Sequence, residues 1–392
     1  ALVSRRRLFG SLCTLVFLVN LGRVVFAPLV EPLQAAFGTS NATIGLTVTL
    51  AWVGSALPRI PTGYLLTRVP RHYVVGATGL VLTAASVFIA AADSVALVMV
   101  GALAMGLASG AYFIAANPLV SELFPERVGS ALGIHGMSSQ IGAAVASLLV
   151  SAALVVGDWR TTFHAIGAAA LLSTGVFVVV TRRSTLPEAG GEDRDLLAAV
   201  RHQWRIVLAG VLIISASGFV WQGVFNFLDS YLRTRGFSGG DARLLLTGVF
   251  AAGIPAFAVT GWLADRVAIV PLLLSILAGF SLCVLALTLP FGTGWVVGVC
   301  LVLGYVVHSL FPAMDTYLLG SLPDRHRASA YAVYSGTMML IQATGSWSVG
   351  LLTDSGLSFT LVYRGFAAGL AVVLVGLVAA HLAGRLPAGA RA

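Results

Sequence analysis

The 392-residue sequence contains no lysine, and all 23 of its basic residues are arginine. A Walker phosphate loop, a pyridoxal Schiff base and a retinal linkage each require a lysine, so an ATP-driven pump, a pyridoxal enzyme and a retinal protein are excluded. The motifs H-E-x-x-H and C-x-x-C are also absent, and the three cysteines stand at unrelated spacings. The sequence therefore predicts no enzyme, no cofactor, no disulfide framework and no metal site.

Charge is scarce along the whole chain. Only 10% of the residues are charged and 58% are hydrophobic, which is more apolar surface than a water-soluble domain can bury. A helix needs about 20 apolar residues to span about 30 Å of hydrocarbon. We predict an all-α membrane protein with twelve transmembrane helices, spans 1 to 12, over residues 8–30, 43–66, 73–92, 94–121, 128–153, 161–180, 205–230, 243–264, 267–288, 293–320, 328–351 and 358–384.

The arginines are distributed unevenly over the two sides of these predicted spans. Sixteen lie at the two ends of the chain and in alternate connections, and only five lie on the other side. This positive-inside bias predicts a multi-pass protein of the cell membrane with both termini in the cytoplasm. The net charge of +8 therefore reports topology, and no nucleic-acid partner is predicted. The first apolar stretch is expected to be a retained helix, because it continues past the length of a cleavable signal peptide.

The sequence repeats itself at an offset of 198 residues. The segment "GYLLTR" from Gly63 to Arg68 returns as "GWLADR" from Gly261 to Arg266, and Glu31 returns as Asp229. Two pseudo-symmetric six-helix bundles are therefore predicted, with residues 1–180 in the first and 205–392 in the second. Residues 181–204 form the predicted cytoplasmic linker. Transporters are often built from such halves, with the substrate site near the middle of the membrane.

The Gly-x-Leu-Ala-Asp-Arg segment, its echo after span 2, the two six-span halves and the charged central loop together resemble the major facilitator superfamily. The resemblance covers nearly the whole chain and implies transport by alternating access. It also implies gating residues in the cytoplasmic loops: Gly63, Arg68, Arg127, Gly261, Asp265, Arg266 and Arg325. The first copy has Thr67 and Pro70 where the family usually has aspartate and glycine, so the first half is expected to lack its gating carboxylate. Simple capping and charge placement are the alternative for these residues.

Two segments point to branches of this family that carry anions. The stretch "RVVFAPLVEPLQAAFG" from Arg23 resembles carriers of organic anions and organophosphates, and "LPRIPTG" around Arg59 is similar to span 2 of nitrate and nitrite porters. The positions 198 residues further on are Trp221 and Phe257, so the second-half arginine of several anion carriers is missing. Span 5 also lacks the glycine-rich nitrate signature.

Arg23 is the charge that is hardest to explain without a ligand. It lies 15 residues beyond Leu8, or about 22 Å along the helix, which is past the middle of the bilayer. A charge at that depth is unfavourable unless water or a counter-charge reaches it, and the planar guanidinium suits a carboxylate or phosphate. A partner acid or helix carbonyls within the protein are the alternative. Arg59 lies in the inner half of span 2, where it could also reach the cytoplasmic interface or pair with a residue of the other half.

Other polar residues inside the spans complete the predicted substrate site. Gln222 and Asn226 share one face of span 7, and a helical series on span 11 suits a cavity wall. Packing within the protein is the alternative for each of them. Together with Arg23 and Arg59, the predicted substrate-binding residues are Asn20, His135, Gln140, Gln222, Asn226, Tyr331, Tyr334 and Gln342.

His308 and Asp315 on span 10 are predicted to form a proton relay, because a buried acid can take a proton from one side and release it to the other. A salt bridge from Asp315 to Arg325 or Arg127 is the alternative. Three functions follow: a proton-coupled carrier of a small anion, an efflux carrier of amphipathic or cationic compounds, or a transporter-like sensor. The predicted partners are a small-molecule anion, protons and the lipid bilayer, and the protein is expected to be a monomer.

Overall fold

The computed structural model describes residues 2–66, 68–124, 128–184, 186 and 195–387. Within these ranges all regular secondary structure is helical, which confirms the predicted fold class. The helices are α1 (Leu2–Val24), α2 (Phe26–Phe37), α3 (Asn41–Ala56), α4 (Arg59–Leu65), α5 (Arg71–Ala90), α6 (Val95–Leu123), α7 (Val128–Val156), α8 (Trp159–Thr181), α9 (Leu196–Asn226), α10 (Leu228–Thr234), α11 (Gly239–Ala251), α12 (Gly253–Ala264), α13 (Ile269–Leu287), α14 (Thr293–Ser321), α15 (Asp324–Asp354) and α16 (Phe359–Leu382).

Eleven segments of the described chain are long and apolar enough to cross a membrane, and they correspond to predicted spans 1 to 10 and 12. The helix at the position of span 11 is α15. Its 31 residues extend over about 46 Å at 1.5 Å per residue, so its length is sufficient. Its serine, threonine, tyrosine and charged residues make it less apolar than the other eleven. The crossing of the membrane by α15 therefore stays a prediction.

Proline interrupts three of the predicted spans, which are therefore not continuous helices. Proline lacks an N–H group and its ring collides with the carbonyl group four residues earlier. The break at Val25 falls three residues before Pro28, the break after Ala56 falls at Pro58, and the break at Ala252 falls three residues before Pro255. Each of spans 1, 2 and 8 is thus two short helices in series.

Span 7 is interrupted at Phe227 without a proline. The Nδ2 group of Asn226 donates to the backbone carbonyl of Gln222 at 3.0 Å, and such side-chain bonds compete with the regular helix ladder. At its other end the same helix begins at Leu196. Residues 196–204, which the sequence places in the linker, are therefore helical, with a kink at Gln203 (φ −111°, ψ 16°).

The 198-residue repeat reappears in the backbone conformation of two turns. Gly38 and Gly236 both have a positive φ, 61° and 88°, in the left-handed region that glycine tolerates best. Two residues later, Ser40 Oγ accepts the backbone N–H of Thr43 at 3.2 Å, and Ser238 Oγ accepts that of Asp241 at 3.1 Å. Each serine thus caps the helix that follows it.

Contacts divide the chain into two units, Ala1–Thr39 with Leu46–Asp193 and Ser40–Gly45 with Arg194–Ala392. In the first unit α1 packs against α6, α7 and α8, and α5 packs against α6 and α8. In the second unit α9 packs along α15, and α14 packs against α11, α12 and α13. The second unit includes the first turn of α3, where the Asp354 carboxylate accepts the backbone N–H groups of Asn41 at 3.1 Å and Ala42 at 2.8 Å.

Glycines allow α9 and α15 to approach closely. A Cβ atom added at Gly345 would collide with the carbonyl oxygen of Phe219, and one added at Gly218 would collide with the side chain of Gln342. Small residues at helix contacts are typical of membrane proteins, because van der Waals packing there replaces the hydrophobic effect.

Gly345→Ala is expected to lower the melting temperature of the purified protein in detergent by several degrees, since overpacking costs about 1–3 kcal/mol. Gly336→Ala is the matched control on the same helix, because an added Cβ there has no neighbour within 4 Å. Because alanine has a higher helix propensity than glycine, the melting temperature of this control should be unchanged or slightly higher. Equal melting temperatures for the two variants, measured by a thermal-shift assay, would contradict the close approach at Gly345.

Candidate substrate-binding site

The guanidinium group of Arg23 lies in a polar pocket built within the first unit. Arg23 is the penultimate residue of α1, next to the break at Val25. Its Nη2 group donates to Asn20 Oδ1 at 2.7 Å, and its Nη1 group donates to Ser55 Oγ at 3.2 Å. Asn20 is held in turn, because its Nδ2 group donates to the carbonyl of Ser139 on α7 at 2.8 Å. Asn20 therefore orients the charge of Arg23 rather than neutralising it.

Two aromatic rings contact the same guanidinium. Its Cζ atom lies 4.2 Å from the ring centre of Trp52 on α3 and 5.5 Å from that of Phe113 on α6, distances that allow cation–π attraction. The Nε–H of Arg23 is buried and has no hydrogen-bond partner among the residues that the structure describes. No carboxylate of the described residues forms an ion pair with Arg23. The alternative in which a protein acid neutralises it thus finds no partner in this part of the chain.

Arg59 also contacts Ser55, from the other side of the break between α3 and α4. It is the first residue of α4 and only 8% exposed, so its side chain does not extend into solvent. Its Nε–H donates to the backbone carbonyl of Ser55 at 3.1 Å. Arg23 and Arg59 therefore contact two different oxygens of one serine and repel each other electrostatically. The result is a strongly electropositive pocket.

His135 and Gln140, the two residues predicted on span 5, lie on α7. The Tyr112 hydroxyl donates to the carbonyl of Leu12 at 2.7 Å and lies 3.0 Å from His135 Nε2. Since the Tyr112 proton is used, the His135 ring donates in that contact. His135 is 2% exposed and packs between helices, apart from Arg23. Gln140 is half-buried and follows Ser139, whose carbonyl holds Asn20.

Gln222 and Asn226 contact each other and α15 in the second unit. Asn226 Nδ2 lies within 2.9 Å of Gln222 Oε1 and of Ser346 Oγ, and the Ser346 hydroxyl donates to the Gln222 carbonyl at 3.0 Å. Gln342 is buried beside Gly218 in the same interface. These polar groups join two helices of the second unit, which is the packing alternative stated for them, and their role in substrate binding stays a prediction.

His308 is enclosed by aromatic rings. Its Nδ1 group donates to the carbonyl of Gly304 at 2.6 Å. Trp221 and Phe257, which stand 198 residues after Arg23 and Arg59, are two of the surrounding rings. The ring centres of Trp221, Phe250, Phe311 and Phe257 lie 5.5, 5.6, 6.2 and 6.4 Å from that of His308. Two residues of this aromatic cluster thus occupy the sequence positions in the second repeat that correspond to Arg23 and Arg59 in the first.

Asp315 is joined to the tyrosines predicted on span 11. Its Oδ1 atom accepts the hydroxyl proton of Tyr331 at 2.8 Å, and the Tyr331 ring lies 5.7 Å from that of buried Tyr334. No hydrogen bond joins Asp315 to His308 among the described residues, so the two members of the predicted relay are separate. The alternative partners cannot be placed, because Arg127 and the Arg325 side chain lie outside the described residues.

Residues 12–346 match the family described as Major Facilitator Superfamily. This chain belongs to the major facilitator superfamily. It is 33% identical over 273 residues to the probable nitrate/nitrite transporter NarK2 of Mycobacterium tuberculosis strain H37Rv, which covers 67% of this chain and 68% of that protein. It is 26% identical over 248 residues to the purine ribonucleoside efflux pump NepI of Salmonella paratyphi B, over 61% of this chain and 60% of that one.

Solved structures of other transporters share its fold. A D-xylose-proton symporter matches with a TM-score of 0.80 and 17% identity over 99% of both chains. A transporter of the POT family matches with a TM-score of 0.81 and 11% identity over 96% of both chains. These structures show the fold, and the family match over residues 12–346 shows that the protein is a secondary transporter and not an enzyme, as the sequence predicted.

Arg71, which follows the first copy of the loop motif, has a carboxylate partner that the sequence did not reveal. Arg71 forms an ion pair with Glu122 at the end of α6, with Nη1 to Oε1 at 3.0 Å. This acid comes from α6 and not from the motif itself, where Thr67 stands in place of the aspartate and lies outside the described residues, so the expectation that the motif lacks its gating carboxylate stays a prediction. Gly63 is buried in α4 and Arg68 is exposed in the loop.

The second copy of the motif lies at the end of α12. Gly261 is within the helix, and Asp265 is its exposed C-cap residue. The Arg266 Nη1 group donates to the carbonyl of Trp262 at 2.9 Å, and its guanidinium lies 4.2 Å from the centre of that ring. Arg266 thus has a local capping contact, and the gating role of both copies stays a prediction.

Proposed function

We propose that this superfamily carrier moves a small anion, with Arg23 as the principal binding group and Arg59 as the second. The observation that supports this most is the half-buried Arg23 side chain, whose Nε–H is buried without a hydrogen-bond partner and which forms no ion pair with a carboxylate among the described residues. A buried charge without a counter-charge is strongly unfavourable, and an anion is the ligand that removes this penalty. Charge-assisted bonds to a guanidinium are about twice as strong as neutral ones.

The substrate class that fits best is a small oxoanion such as nitrate or nitrite. Arg23 donates hydrogen bonds to Asn20 and Ser55 with two of its N–H groups, and an arginine side chain has five such groups. Three remain for an anion with two or more acceptor oxygens. The similarity to a probable nitrate/nitrite transporter supports this class. A neutral nucleoside has no negative charge to balance two guanidinium groups, and a cationic compound would be repelled by them.

Proton coupling is the second part of the proposal, and Asp315 is its carrier. It is a half-buried carboxylate within an apolar span, and a tyrosine hydroxyl is its hydrogen-bond partner. Protonation of such a group is sensitive to whether water reaches it. His308, bonded to its own helix and surrounded by rings, is the less accessible of the two predicted groups.

A ligand screen on the purified wild-type protein tests the substrate class. Nitrate, nitrite, phosphate, a small carboxylate and inosine are added separately in a thermal-shift assay, and uptake of each is measured in proteoliposomes. A ligand at 100 times its Kd stabilises the folded state by about 2.7 kcal/mol, so the transported anion should raise the melting temperature measurably. Stabilisation and uptake with inosine alone would contradict the proposal.

A further inference from the structure

Ser55 stands between the two arginines and contacts both of them. Its Oγ atom accepts from Arg23 Nη1 at 3.2 Å, and its backbone carbonyl accepts from Arg59 Nε at 3.1 Å. The residue is fully buried. One serine thus contacts two mutually repelling guanidinium groups, one through its hydroxyl group and the other through its backbone carbonyl.

The backbone of Ser55 is held in place by α6. A Cβ atom added at Gly110 would collide with the Ser55 carbonyl oxygen, and one added at Gly106 would lie 2.8 Å from the Ser55 amide nitrogen. These glycines let the two helices meet at backbone distance. Trp52 on α3 and Phe113 on α6 are the rings that contact Arg23, so the same helix contact also fixes the walls of the pocket.

The helix break lies next to Ser55. In a continuous helix the Ser55 carbonyl would accept the backbone N–H of the residue four positions later, Arg59. Here α3 ends at Ala56 and α4 begins at Arg59, and this carbonyl accepts the side-chain Nε–H of Arg59. In the second unit the position 198 residues after Ser55 is Gly253, which has no hydroxyl group. The arrangement is therefore specific to the first unit.

We propose that Ser55 is a positioning residue for anion binding, which holds the guanidinium groups of Arg23 and Arg59 in one fixed arrangement. The inference rests on the proposed function, since it assumes that these arginines bind the transported anion. Preorganised donors bind more tightly than mobile ones because less ordering is needed on binding. Removal of the hydroxyl group should therefore weaken anion affinity while the charge of the pocket is unchanged.

Nitrate is the probe, with Kd from thermal-shift titration and KM and Vmax from proteoliposome uptake. Ser55→Ala is expected to raise Kd and KM about tenfold or more, the range of a lost hydrogen bond to a charged group, with Vmax changed far less. Ser55→Cys replaces the hydroxyl group by a thiol, which is a weaker acceptor. Its Kd and KM should therefore lie between those of the wild type and those of Ser55→Ala. Ser86→Ala is the matched control, because its buried hydroxyl bonds only to the Leu82 carbonyl of its own helix at 2.7 Å.

A double variant distinguishes positioning from general destabilisation. In an Arg23→Ala background, Ser55→Ala should cause less than a twofold further change in nitrate Kd, because the group it positions is gone. Full additivity, or a Ser55→Ala variant that behaves like Ser86→Ala, would overturn the role of Ser55 and leave anion transport standing. A wild-type protein that binds and transports no anion of the screen would overturn the proposed function, and the role of Ser55 with it.

Discussion

Arg23→Ala is expected to lower nitrate uptake in proteoliposomes by about a hundredfold, because truncating a buried charged partner costs about 2–5 kcal/mol. The variant removes the donors that face the ligand and also the charge that makes an anion favourable in the pocket. Arg59 is left as the only cation on Ser55, so a weak residual affinity should remain. Binding and uptake should fall together, because the lost contact is made in the bound state.

Two further variants make this expectation specific. Arg23→Lys keeps the positive charge but loses the planar fork, and it should restore only part of the affinity. Arg182→Ala removes an exposed arginine at the end of α8 and is the matched control, with uptake close to wild type. An Arg23→Ala protein that is folded by thermal shift and transports nitrate normally would rule out Arg23 as the anion site.

Asp315→Asn is expected to abolish uptake driven by a proton gradient while it leaves anion exchange between the two sides of the membrane intact. Asparagine keeps the size of the side chain and can still accept the Tyr331 hydroxyl bond, but it cannot bind a proton. Accumulation with an imposed pH gradient should fall to the level measured without one. For one proton per anion and a gradient of one pH unit, this is a loss of up to about tenfold, since one unit corresponds to about 1.36 kcal/mol. Counterflow exchange needs no net proton movement and should continue.

The control for this variant is Asp93→Asn, which changes an exposed carboxylate in the loop after α5. Tyr331→Phe removes the hydroxyl group that holds Asp315 and should alter the pH dependence of uptake without abolishing it. His308→Gln should leave the gradient response unchanged if Asp315 alone carries the proton. A gradient response that survives Asp315→Asn and disappears in His308→Gln would transfer the coupling role to the histidine.

The sequence predicted the helices well because apolar length is a local property. It did not predict where the helices break or start, since these depend on single residues and their bonds. The side-chain bond from Asn226 to Gln222 and the helical start at Leu196 are examples. The segment after Leu196 is rich in polar and basic residues, which is typical of a linker as well as of an interfacial helix.

In the candidate site, the charged residues could be predicted from the sequence, but the residues that act through helix packing could not. Arg23 and Arg59 could be found because charge is rare in an apolar run. Ser55 could not, because a buried serine is common and its role depends on the approach of α6 to α3. Gln222 and Asn226 carry the same sequence signal as Asn20, yet they bond across α9 and α15. Glu122 was missed because its partner Arg71 lies 51 residues away in the sequence.

The matching turns at Gly38 and Gly236 bear on the ancestry of the molecule. Each combines a left-handed glycine with a serine two residues later that caps the next helix, and two independent origins of this combination are harder to explain than one. A single ancestral gene for six helices, copied and fused, accounts for both turns. The chemistry diverged after that event, as one descendant half holds a pair of guanidinium groups where the other holds tryptophan and phenylalanine.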